Sequence, residues 1–277
     1  MRFLFTADLH GNEFQYNKVF QYVKEQHIEL LVLGGDLSPK DKEKRNPTSQ
    51  KDFFQNILFP LTKTSNAKTL LILGNDDYRI NLDFLKENES MCNYKIIDTP
   101  YYFNEYCFIG YSYVPHTPFI WKDWEKRDLT SDTVKDLRED VLTVGKIDFD
   151  KPYDILQNYL KSSIEDDLDK LCKDIPSNKL ILITHAPPFE TVCDLTKDKA
   201  GKLRHIGSRA VRKIIESKKL LLTLHGHIHD SVVNSGDFMQ KIGETISATV
   251  GNEHLTEDVF ALDVYVDKQI IINRIKL

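Results

Sequence analysis

Five short apolar runs constrain this chain more than any other feature, because each run ends abruptly in polar residues that are good ligands for divalent metals. The runs and the residues that follow them are Arg2–Thr6 with Asp8 and His10, Glu29–Leu33 with Asp36, Lys68–Leu73 with Asn75, Lys179–Thr184 with His185, and Lys219–Leu224 with His227 and His229. Continuous runs of this length, rich in Leu and Ile, are typical of strands buried on both faces. Ligands of an open α/β sheet bind outside the carboxyl ends of its strands. We therefore expect all seven polar side chains to meet at one edge of one sheet.

Helical patterns alternate with these strands and predict an α/β class. Asn12–His27 has apolar residues at helical spacing, and Asn12 is suited to be the N-cap. Lys51–Thr62 is predicted as a second helix, and Ile155–Cys172 as one continuous helix. Strand–helix–strand alternation of this kind implies parallel strands with right-handed crossovers.

The remaining segments predict short strands and one insertion. Short aromatic-rich strands are expected at Tyr101–Phe103 and Tyr106–Tyr111, and antiparallel strands in the C-terminal third at Phe238–Ile242, Thr245–Ala248, Val259–Val266 and Gln269–Ile275. Val114–Pro152 has no clear periodicity, which is typical of a functional lid or insertion. We predict a single domain over residues 1–277 with an inserted flap at about 114–152.

Composition narrows the class of protein. The hydrophobic fraction of 41% and the charged fraction of 29% are those of a globular chain. No apolar stretch approaches the roughly 20 residues that span a bilayer. A net charge of −5 argues against long nucleic acids as the main substrate but permits small nucleotides. The four cysteines are scattered and the chain starts directly with a predicted strand, so we expect reduced thiols, no signal peptide and a cytoplasmic location. The oligomeric state stays open.

Each polar motif is weak evidence alone and strong evidence in combination. A lone Asp-x-His, a Gly-Asp turn or a single histidine at a strand end is usually structural. In combination they supply two carboxylates, one amide and four imidazoles. Asp36 could bridge two cations, and Gly226 permits close backbone approach beside His227 and His229. The combined pattern indicates a metal centre.

The ordered motifs resemble those of the calcineurin-like metallophosphoesterases. The matching residues are Asp8-Leu9-His10, Gly35-Asp36, Gly74-Asn75-Asp76-Asp77, His185 and Gly226-His227-Ile228-His229. The resemblance implies a four-layer αββα sandwich, a double β-sandwich flanked by helices, with two divalent metal ions. It assigns one ion to Asp8, His10, Asp36 and His229, and the other to Asp36, Asn75, His185 and His227, with Asp36 as the bridge. This mixed oxygen and nitrogen set suits Mn²⁺ first, or Fe, Zn²⁺ or Ni²⁺, rather than Ca²⁺.

Two departures from the family pattern bear on the reaction. Asp76 stands where the family has a histidine that helps to protonate the leaving group and stabilise the transition state. It is either catalytic with a raised pKa, or a turn residue or partner of His10 or His229. The arginine that follows the Gly-Asp motif in protein Ser/Thr phosphatases is missing, because Asp36 is followed by Leu37-Ser38-Pro39-Lys40. A bacterial-type, phosphodiesterase-like branch of the superfamily fits better.

Some further residues are weaker candidates. Arg204, His205 and Ser208 precede a predicted helix whose N-terminus could bind an anionic substrate, although a purely structural helix start is the more common case. The basic residues Lys40, Lys42, Lys44 and Arg45 could steer phosphates, but a solvated loop is the simpler interpretation. In the flap, His116, Trp121 and Trp124 could stack on a substrate, but packing onto the core is the simpler interpretation. His225 is expected not to be a ligand.

The expected function is a dinuclear metal-dependent phosphoesterase that acts on a small phosphorylated substrate or nucleotide, with diesters preferred. A hydroxide that bridges the two metals would attack phosphorus in line while both cations neutralise the phosphoryl oxygens. Besides its metal role, Asn75 is a candidate catalytic residue, as is Asp76. The alternatives are a phosphomonoesterase or protein phosphatase, and a non-catalytic scaffold with the same fold.

Overall fold

Two mixed six-stranded sheets dominate the computed structural model, which describes residues 1–40 and 46–277. The strands are β1 (Arg2–Thr6), β2 (Leu30–Gly34), β3 (Lys68–Ile72), β4 (Tyr94–Ile96), β5 (Tyr101–Phe103), β6 (Tyr106–Tyr111), β7 (Val114–Pro115), β8 (Glu125–Lys126), β9 (Val144–Ile147), β10 (Lys151–Asp154), β11 (Leu180–Thr184), β12 (Leu195–Lys197), β13 (Leu203–His205), β14 (Leu222–His225), β15 (Met239–Ile242), β16 (Thr245–Thr249), β17 (Phe260–Val266) and β18 (Ile270–Lys276). The first sheet has the order β18-β17-β1-β2-β3-β4, and the second has the order β15-β16-β14-β11-β6-β5.

Helices cover the outer face of each sheet. They are α1 (Glu13–Glu25), α2 (Pro47–Phe53), α3 (Phe59–Thr64), α4 (Leu82–Asn88), α5 (Ile155–Asn158), α6 (Ile164–Cys172), α7 (Arg209–Lys218) and α8 (Ser231–Ser235), with a π-helical segment at Phe54–Leu58 and 3₁₀ turns at Arg79–Asn81, Val134–Asp136, Ser177–Lys179 and Val192–Asp194. Asn12 caps α1 as expected, because its side chain accepts a hydrogen bond from the backbone N–H of Gln15.

Three apolar cores separate four layers. Successive strand residues point to opposite faces, so Leu4 packs under the helices of the first sheet while Phe5 packs between the two sheets. In the second sheet, Ile183 faces the inter-sheet core and Leu182 packs against α7 through Val211. The predicted α/β class and the αββα sandwich are confirmed.

The sheet topology corrects the expectation that the site lies at the edge of one sheet. The strands β1, β2 and β3 belong to the first sheet, whereas β11 and β14 belong to the second. The C-terminal hairpins β15–β16 and β17–β18 are antiparallel as predicted, but β16 also pairs in parallel with β14. The carboxyl ends of strands from both sheets therefore contribute to one site.

The predicted helix Ile155–Cys172 is wrong as a single element. It is broken between α5 and α6, and the side chain of Ser163 caps α6 by accepting a hydrogen bond from the N–H of Asp166. Arg127, in the insertion, accepts the N–H of Ile164 through its carbonyl. The helix is interrupted because the start of α6 is capped by Ser163 and hydrogen-bonded to the insertion, and helical periodicity does not reveal such contacts.

The insertion packs onto the core through buried polar contacts. The indole N–H of Trp124 donates to the carbonyl of Asp77 at 2.7 Å. The carboxylate of Asp123 accepts the N–H of Arg79 at 2.9 Å. A buried ion pair joins Lys122 to Glu125 at 2.8 Å. The interpretation that the aromatic residues pack the flap is confirmed for Trp124, which is buried.

The other aromatic candidates of the flap also have protein partners. Trp121 stacks on Phe149 with ring centroids 5.8 Å apart, and the buried His116 lies 3.1 Å from the carboxylate of Glu125. All four cysteines are buried and unpaired, as expected. Within residues 1–40 and 46–277, no helix combines the length and apolarity needed to cross a membrane.

Candidate metal centre

The loop after β1 directs two donors into the site by a turn. Asp8 and His10 have φ angles of 61° and 43°, in the left-handed region, while Leu9 between them is fully buried in the core. The N–H of Asp8 donates to the carbonyl of Gly35 at 3.0 Å, and the N–H of His10 donates to the carbonyl of Asp36 at 2.9 Å. These backbone hydrogen bonds join the loops that follow β1 and β2, so the side chains on the two loops are fixed relative to each other.

Glycines allow neighbouring loops of the site to approach each other closely. A Cβ atom at Gly74 would lie 2.3 Å from an oxygen of Asp36, and one at Gly226 would lie 2.7 Å from an oxygen of Asp8. Both distances are too short for a real side chain. The expectation that Gly226 permits close approach is confirmed.

One group of donors gathers four of the expected ligands. A ligand atom from each of Asp8, His10, Asp36 and His229 lies within 4.8 Å of the others. The Nε2 atoms of His10 and His229 are 3.2 Å apart, His10 Nε2 is 3.6 Å from Asp36 Oδ2, and His229 Nε2 is 3.8 Å from Asp8 Oδ1. Burial is the main cause that lowers the pKa of His10 well below its usual value. Its imidazole is therefore neutral and has a lone pair to offer.

A second group surrounds His185. Its Nε2 atom lies 3.1 Å from Asn75 Oδ1 and 3.4 Å from Asp36 Oδ2, and its Nδ1 atom lies 3.0 Å from the carbonyl of Gly34. The ring of His227 is 5.2 Å away, and burial lowers the pKa of His227 to about 3. Burial also lowers the pKa of His185, but the carboxylate of Asp36 outweighs this effect and the net pKa is raised to about 9.

Asp36 lies between the two groups. Its Oδ2 atom faces both His10 and His185, while Oδ1 accepts the backbone N–H of Asp76 at 2.8 Å. Burial alone would raise the pKa of Asp36, but the charge of His185 above all, with the hydrogen bonds from His185 and the backbone N–H of Asp76, holds it well below its usual value. Asp36 is therefore a buried anion that attracts positive charge from two sides.

The donor set fits a pair of divalent cations. Two imidazole nitrogens that face each other at 3.2 Å, here those of His10 and His229, need a proton or a cation between them. Among the described residues, His10 Nδ1 is buried and has no hydrogen-bond partner. A metal ion held by imidazoles and carboxylates satisfies these convergent lone pairs.

Asp76 and Lys40 stand together beside His10. Asp76 Oδ2 is 3.9 Å from His10 Nδ1 and 3.9 Å from Lys40 Nζ, and Lys40 Nζ is 3.0 Å from His10 Nε2. The interpretation of Lys40 as part of a solvated loop is wrong, because its side chain is only 23% exposed and its ammonium group reaches the donors. The other three basic residues of this loop, Lys42, Lys44 and Arg45, lie outside the described residues.

Asp77 holds the second and third loops together, a role that the sequence pattern did not indicate. Its carboxylate accepts the backbone N–H groups of Leu37, Ser38 and Gly74 at 2.9–3.1 Å, and also the hydroxyl of Ser38. Burial raises the pKa of Asp77 to about 6. The carboxylate thus fixes the backbone that follows Asp36 and the backbone on both sides of Asn75.

The structure does not bring Ser208 into the donor groups. Ser208 is buried at the start of α7, and its hydroxyl donates to the Asp128 carboxylate at 2.5 Å. The N–H groups of Arg209 and Ala210 donate to the same carboxylate at 2.7 and 3.2 Å. The anion expected at this helix N-terminus is therefore the side chain of Asp128 from the insertion.

Arg204 and His205 lie on the hairpin β12–β13, which packs next to the end of the donor loop. Arg204 Nε donates to Asp198 at 2.6 Å, and His205 Nδ1 lies 2.7 Å from Asp194. The hairpin touches Asp230, the neighbour of His229, through the hydroxyl of Thr196 at 2.9 Å. Both candidates thus have acidic partners within their own segment.

His225 is a structural histidine, as expected. Its ring is fully buried, with Nδ1 2.8 Å from the hydroxyl of Thr184 and Nε2 2.9 Å from those of Thr223 and Ser247. Burial lowers its pKa to about 3.

His254 is a nearby histidine that was not anticipated. One of its ring nitrogens lies within 4.8 Å of ring nitrogens of His10 and His229. A signal was present, because the predicted strand Thr245–Ala248 is soon followed by Gly251-Asn252, as the third strand is followed by Gly-Asn.

The family model of the calcineurin-like phosphoesterases matches residues 1–231. The chain therefore belongs to this family, whose motifs supply the donors described above.

Individual relatives are distant or cover little of the chain. An uncharacterized protein of Methanocaldococcus jannaschii is 32% identical over 97 residues, which are 34% of this chain and only 40% of that protein. Among solved structures, a protein of Thermus thermophilus has a TM-score of 0.58 at 17% identity, with 99% of this chain and 98% of that chain covered.

Two further solved structures differ in their described roles. A dimetal phosphatase of Danio rerio has a TM-score of 0.58 at 13% identity, covering 99% of this chain and 95% of that chain. GAP50, the anchor in the inner membrane complex of Plasmodium, has a TM-score of 0.51 at 12% identity, covering 99% and 84%. Likenesses at these identities show the fold alone.

Proposed function

We propose that this protein is a dinuclear metal-dependent phosphoesterase that prefers diesters. The observation that carries the proposal is the position of Asp36, whose Oδ2 atom lies 3.6 Å from His10 Nε2 and 3.4 Å from His185 Nε2. One carboxylate oxygen that faces two separate imidazole groups is the arrangement expected of a bridge between two cations.

The two donor groups define which residues would hold each ion. Asp8, His10, Asp36 and His229 would hold the first, and Asp36, Asn75, His185 and His227 the second. Bound ions supply Lewis acidity and a nucleophile derived from water at neutral pH. The mixed donor set is compatible with Mn²⁺, Fe, Zn²⁺ and Ni²⁺.

The protein side chains around the donors prepare the site for a phosphoryl group. The Asp77 carboxylate and the hydrogen bond from Asp76 to Asp36 keep the loops rigid, so little reorganisation is required when substrate binds. Asn75 can turn its amide N–H toward a phosphoryl oxygen while its carbonyl oxygen stays beside His185. Lys40 is the described cation nearest the first donor group and can attract an anionic substrate.

The preference for diesters rests on charge. Asp76 places a carboxylate 3.9 Å from His10, at a position where the family has an imidazole. An additional negative charge opposes a phosphomonoester, which carries nearly two charges at neutral pH, more than a diester, which carries one. Asp76 cannot supply a cationic proton donor, so esters with good leaving groups are favoured.

Lys40 supports the phosphomonoesterase alternative, because an ammonium group 3.0 Å from His10 Nε2 can bind a dianionic phosphate. A non-catalytic scaffold is less well supported, since every expected donor position is filled.

We also propose that the substrate is a small phosphorylated molecule or a nucleotide and that the protein is cytoplasmic. The chain would form one domain, in which the insertion is a fixed wall beside the site.

A substrate screen tests the proposal. The protein is stripped with a chelator, reloaded separately with Mn²⁺, Zn²⁺ or Ni²⁺, and assayed with bis-p-nitrophenyl phosphate and p-nitrophenyl phosphate. We expect metal-dependent hydrolysis with a higher kcat/KM for the diester. No hydrolysis of either ester with any of these metals would contradict the phosphoesterase proposal, and a higher kcat/KM for the monoester would contradict the preference.

A further inference from the structure

His254 approaches the first donor group from a third direction. Its ring centroid is 4.7 Å from that of His10 and 6.0 Å from that of His229. One ligand atom from each of the three histidines lies within 4.8 Å of the other two, although these three and the carboxylates of Asp8 and Asp36 do not all lie within that distance of one another. Two nitrogens that bind one ion at about 2.1 Å each are at most about 4.2 Å apart, so a small shift suffices for all three to share an ion.

The loop that carries His254 is fixed to the strand that leads to Asp8. Asn252 is fully buried, and its amide donates to Thr6 Oγ1, to the carbonyl of Ala7 and to the carbonyl of Phe260, each at 3.0 Å. Its side-chain oxygen accepts the N–H of Phe260 at 2.7 Å. A fully hydrogen-bonded buried amide holds the backbone of the loop in one position.

The start of α1 holds the same loop from the other side. The amide of Asn12, two residues after His10, donates to the carbonyl of His254 at 2.8 Å. The amide of Gln15 donates to the carbonyls of Glu253, Thr256 and Asp258 at 2.8–3.0 Å. The backbone of His254 is therefore held next to His10 independently of the orientation of the imidazole ring.

The surroundings of the His254 ring are those of a ligand. Its side chain is 11% exposed, and Nδ1 lies 3.1 Å from Glu253 Oε1. Histidines that bind metals commonly donate the N–H of the nitrogen that does not bind the ion to a carboxylate, which orients the ring and increases its basicity. Glu253 stands at the place of such a carboxylate, although its contact with Nδ1 does not have hydrogen-bond geometry.

We propose that His254 is a fifth protein ligand of the ion held by Asp8, His10, Asp36 and His229. The inference rests on the proposed dinuclear centre and deepens it, because this position would then have three imidazoles and two carboxylates. Nitrogen-rich sets favour Zn²⁺, Ni²⁺, Co²⁺ and Fe over Mn²⁺. With three imidazoles, the first position should favour the former metals more than the second position, which has two imidazoles, one amide oxygen and one carboxylate.

Titration with Co²⁺ tests the inference without an activity assay. Protein stripped of metal is titrated by calorimetry, and visible absorption reports the coordination of each bound ion. The variant His254→Phe keeps a ring next to His10 and removes both nitrogens. We expect the wild type to bind two ions, and the variant to bind one of them at least about 10-fold more weakly, since mutation of a residue that only supports a ligand already costs about 10–100-fold, and with a changed spectrum. The ratio of Zn²⁺ to Mn²⁺ affinity should also fall.

A matched control removes a histidine elsewhere. His27 is exposed beyond the end of α1, about 20 Å of helix away from His10, so His27→Asn should bind both ions like the wild type. The variant His254→Gln gives a second removal of the imidazole if His254→Phe does not fold, as judged by circular dichroism.

The outcomes separate this inference from the proposed function. If either folded His254 variant binds two Co²⁺ ions with wild-type affinities and spectra, His254 is not a ligand and the dinuclear centre stands. If the wild type binds fewer than two Co²⁺ ions, the dinuclear centre itself is refuted, and the inference with it.

Discussion

Replacing Asp128 by Asn tests whether the N-terminus of α7 is a structural cap or part of the substrate site. The carboxylate accepts the Ser208 hydroxyl and the Ala210 N–H on Oδ1, and the Arg209 N–H on Oδ2. An asparagine retains only one acceptor oxygen. In either orientation of its amide, at least one backbone N–H of the first helical turn would face an NH₂ group instead of an oxygen.

The size of the effect follows from these contacts. Loss of one hydrogen bond to a charged group costs about 1.5–3 kcal/mol, and loss of the negative charge at a helix N-terminus costs about 0.3–1 kcal/mol. The opposing contribution is desolvation, since burial raises the pKa of Asp128 and a neutral amide is easier to bury. We expect a net loss of roughly 1–3 kcal/mol of unfolding free energy, and a fall in Tm of roughly 2–10 °C.

Thermal unfolding and steady-state kinetics check this prediction together. Asp140→Asn is the matched control, because Asp140 is an exposed acid of the same insertion that contacts only the surface residue Arg138 at 3.3 Å among its described ion pairs. It should leave Tm essentially unchanged. Asp128→Asn should lower Tm and leave KM for a diester unchanged. An unchanged Tm, or a large rise in KM without loss of stability, would refute the structural cap.

Two further predictions concern the metal site, and a third concerns the buried, structural His225. Asp36→Asn should abolish activity and release at least one metal ion per chain, and metal analysis that finds two ions would contradict the bridge. Asp76→Ala should have little effect on aryl diesters, whereas Asp76→His should speed alkyl esters, up to the roughly 10²–10⁴-fold typical of general acid catalysis; loss of aryl diester turnover with metal retained would mean that Asp76 is itself catalytic. Because burial lowers the pKa of His225 to about 3, the folded ring stays neutral while the unfolded one gains a proton below about pH 6.5. From pH 7.5 to pH 5 the wild type should therefore lose about 2 kcal/mol more unfolding free energy than His225→Asn in urea titrations, and equal losses would exclude this linkage.

Run length and hydrophobicity are local properties, and they predicted the strands well. The strand Arg2–Thr6 was predicted to the residue, and β2, β3 and β11 were predicted to within one residue at each end. The helix Ile155–Cys172 was predicted wrongly, because Ser163 starts a separate helix there and the insertion hydrogen-bonds to its first residue.

The metal donors were predictable because their order along the chain is specific to one family of proteins. Their mutual positions were not, since His10 and His229 are separated by 219 residues and come from loops that follow different sheets. Sequence spacing has no information on which strand ends share an edge, and a single sheet was therefore expected where two meet.

The sequence by itself determined the α/β class, the buried strands and the identity of the residues that end them, because each depends on neighbours within about ten positions. Only the tertiary structure decided that Lys40 reaches His10, that Asp128 caps α7 and that His254 stands beside the donors. These three contacts depend on loops held by long-range hydrogen bonds, such as those of the buried amide of Asn252. A contact of that kind forms only when the sandwich has closed, so no local pattern of residues records it.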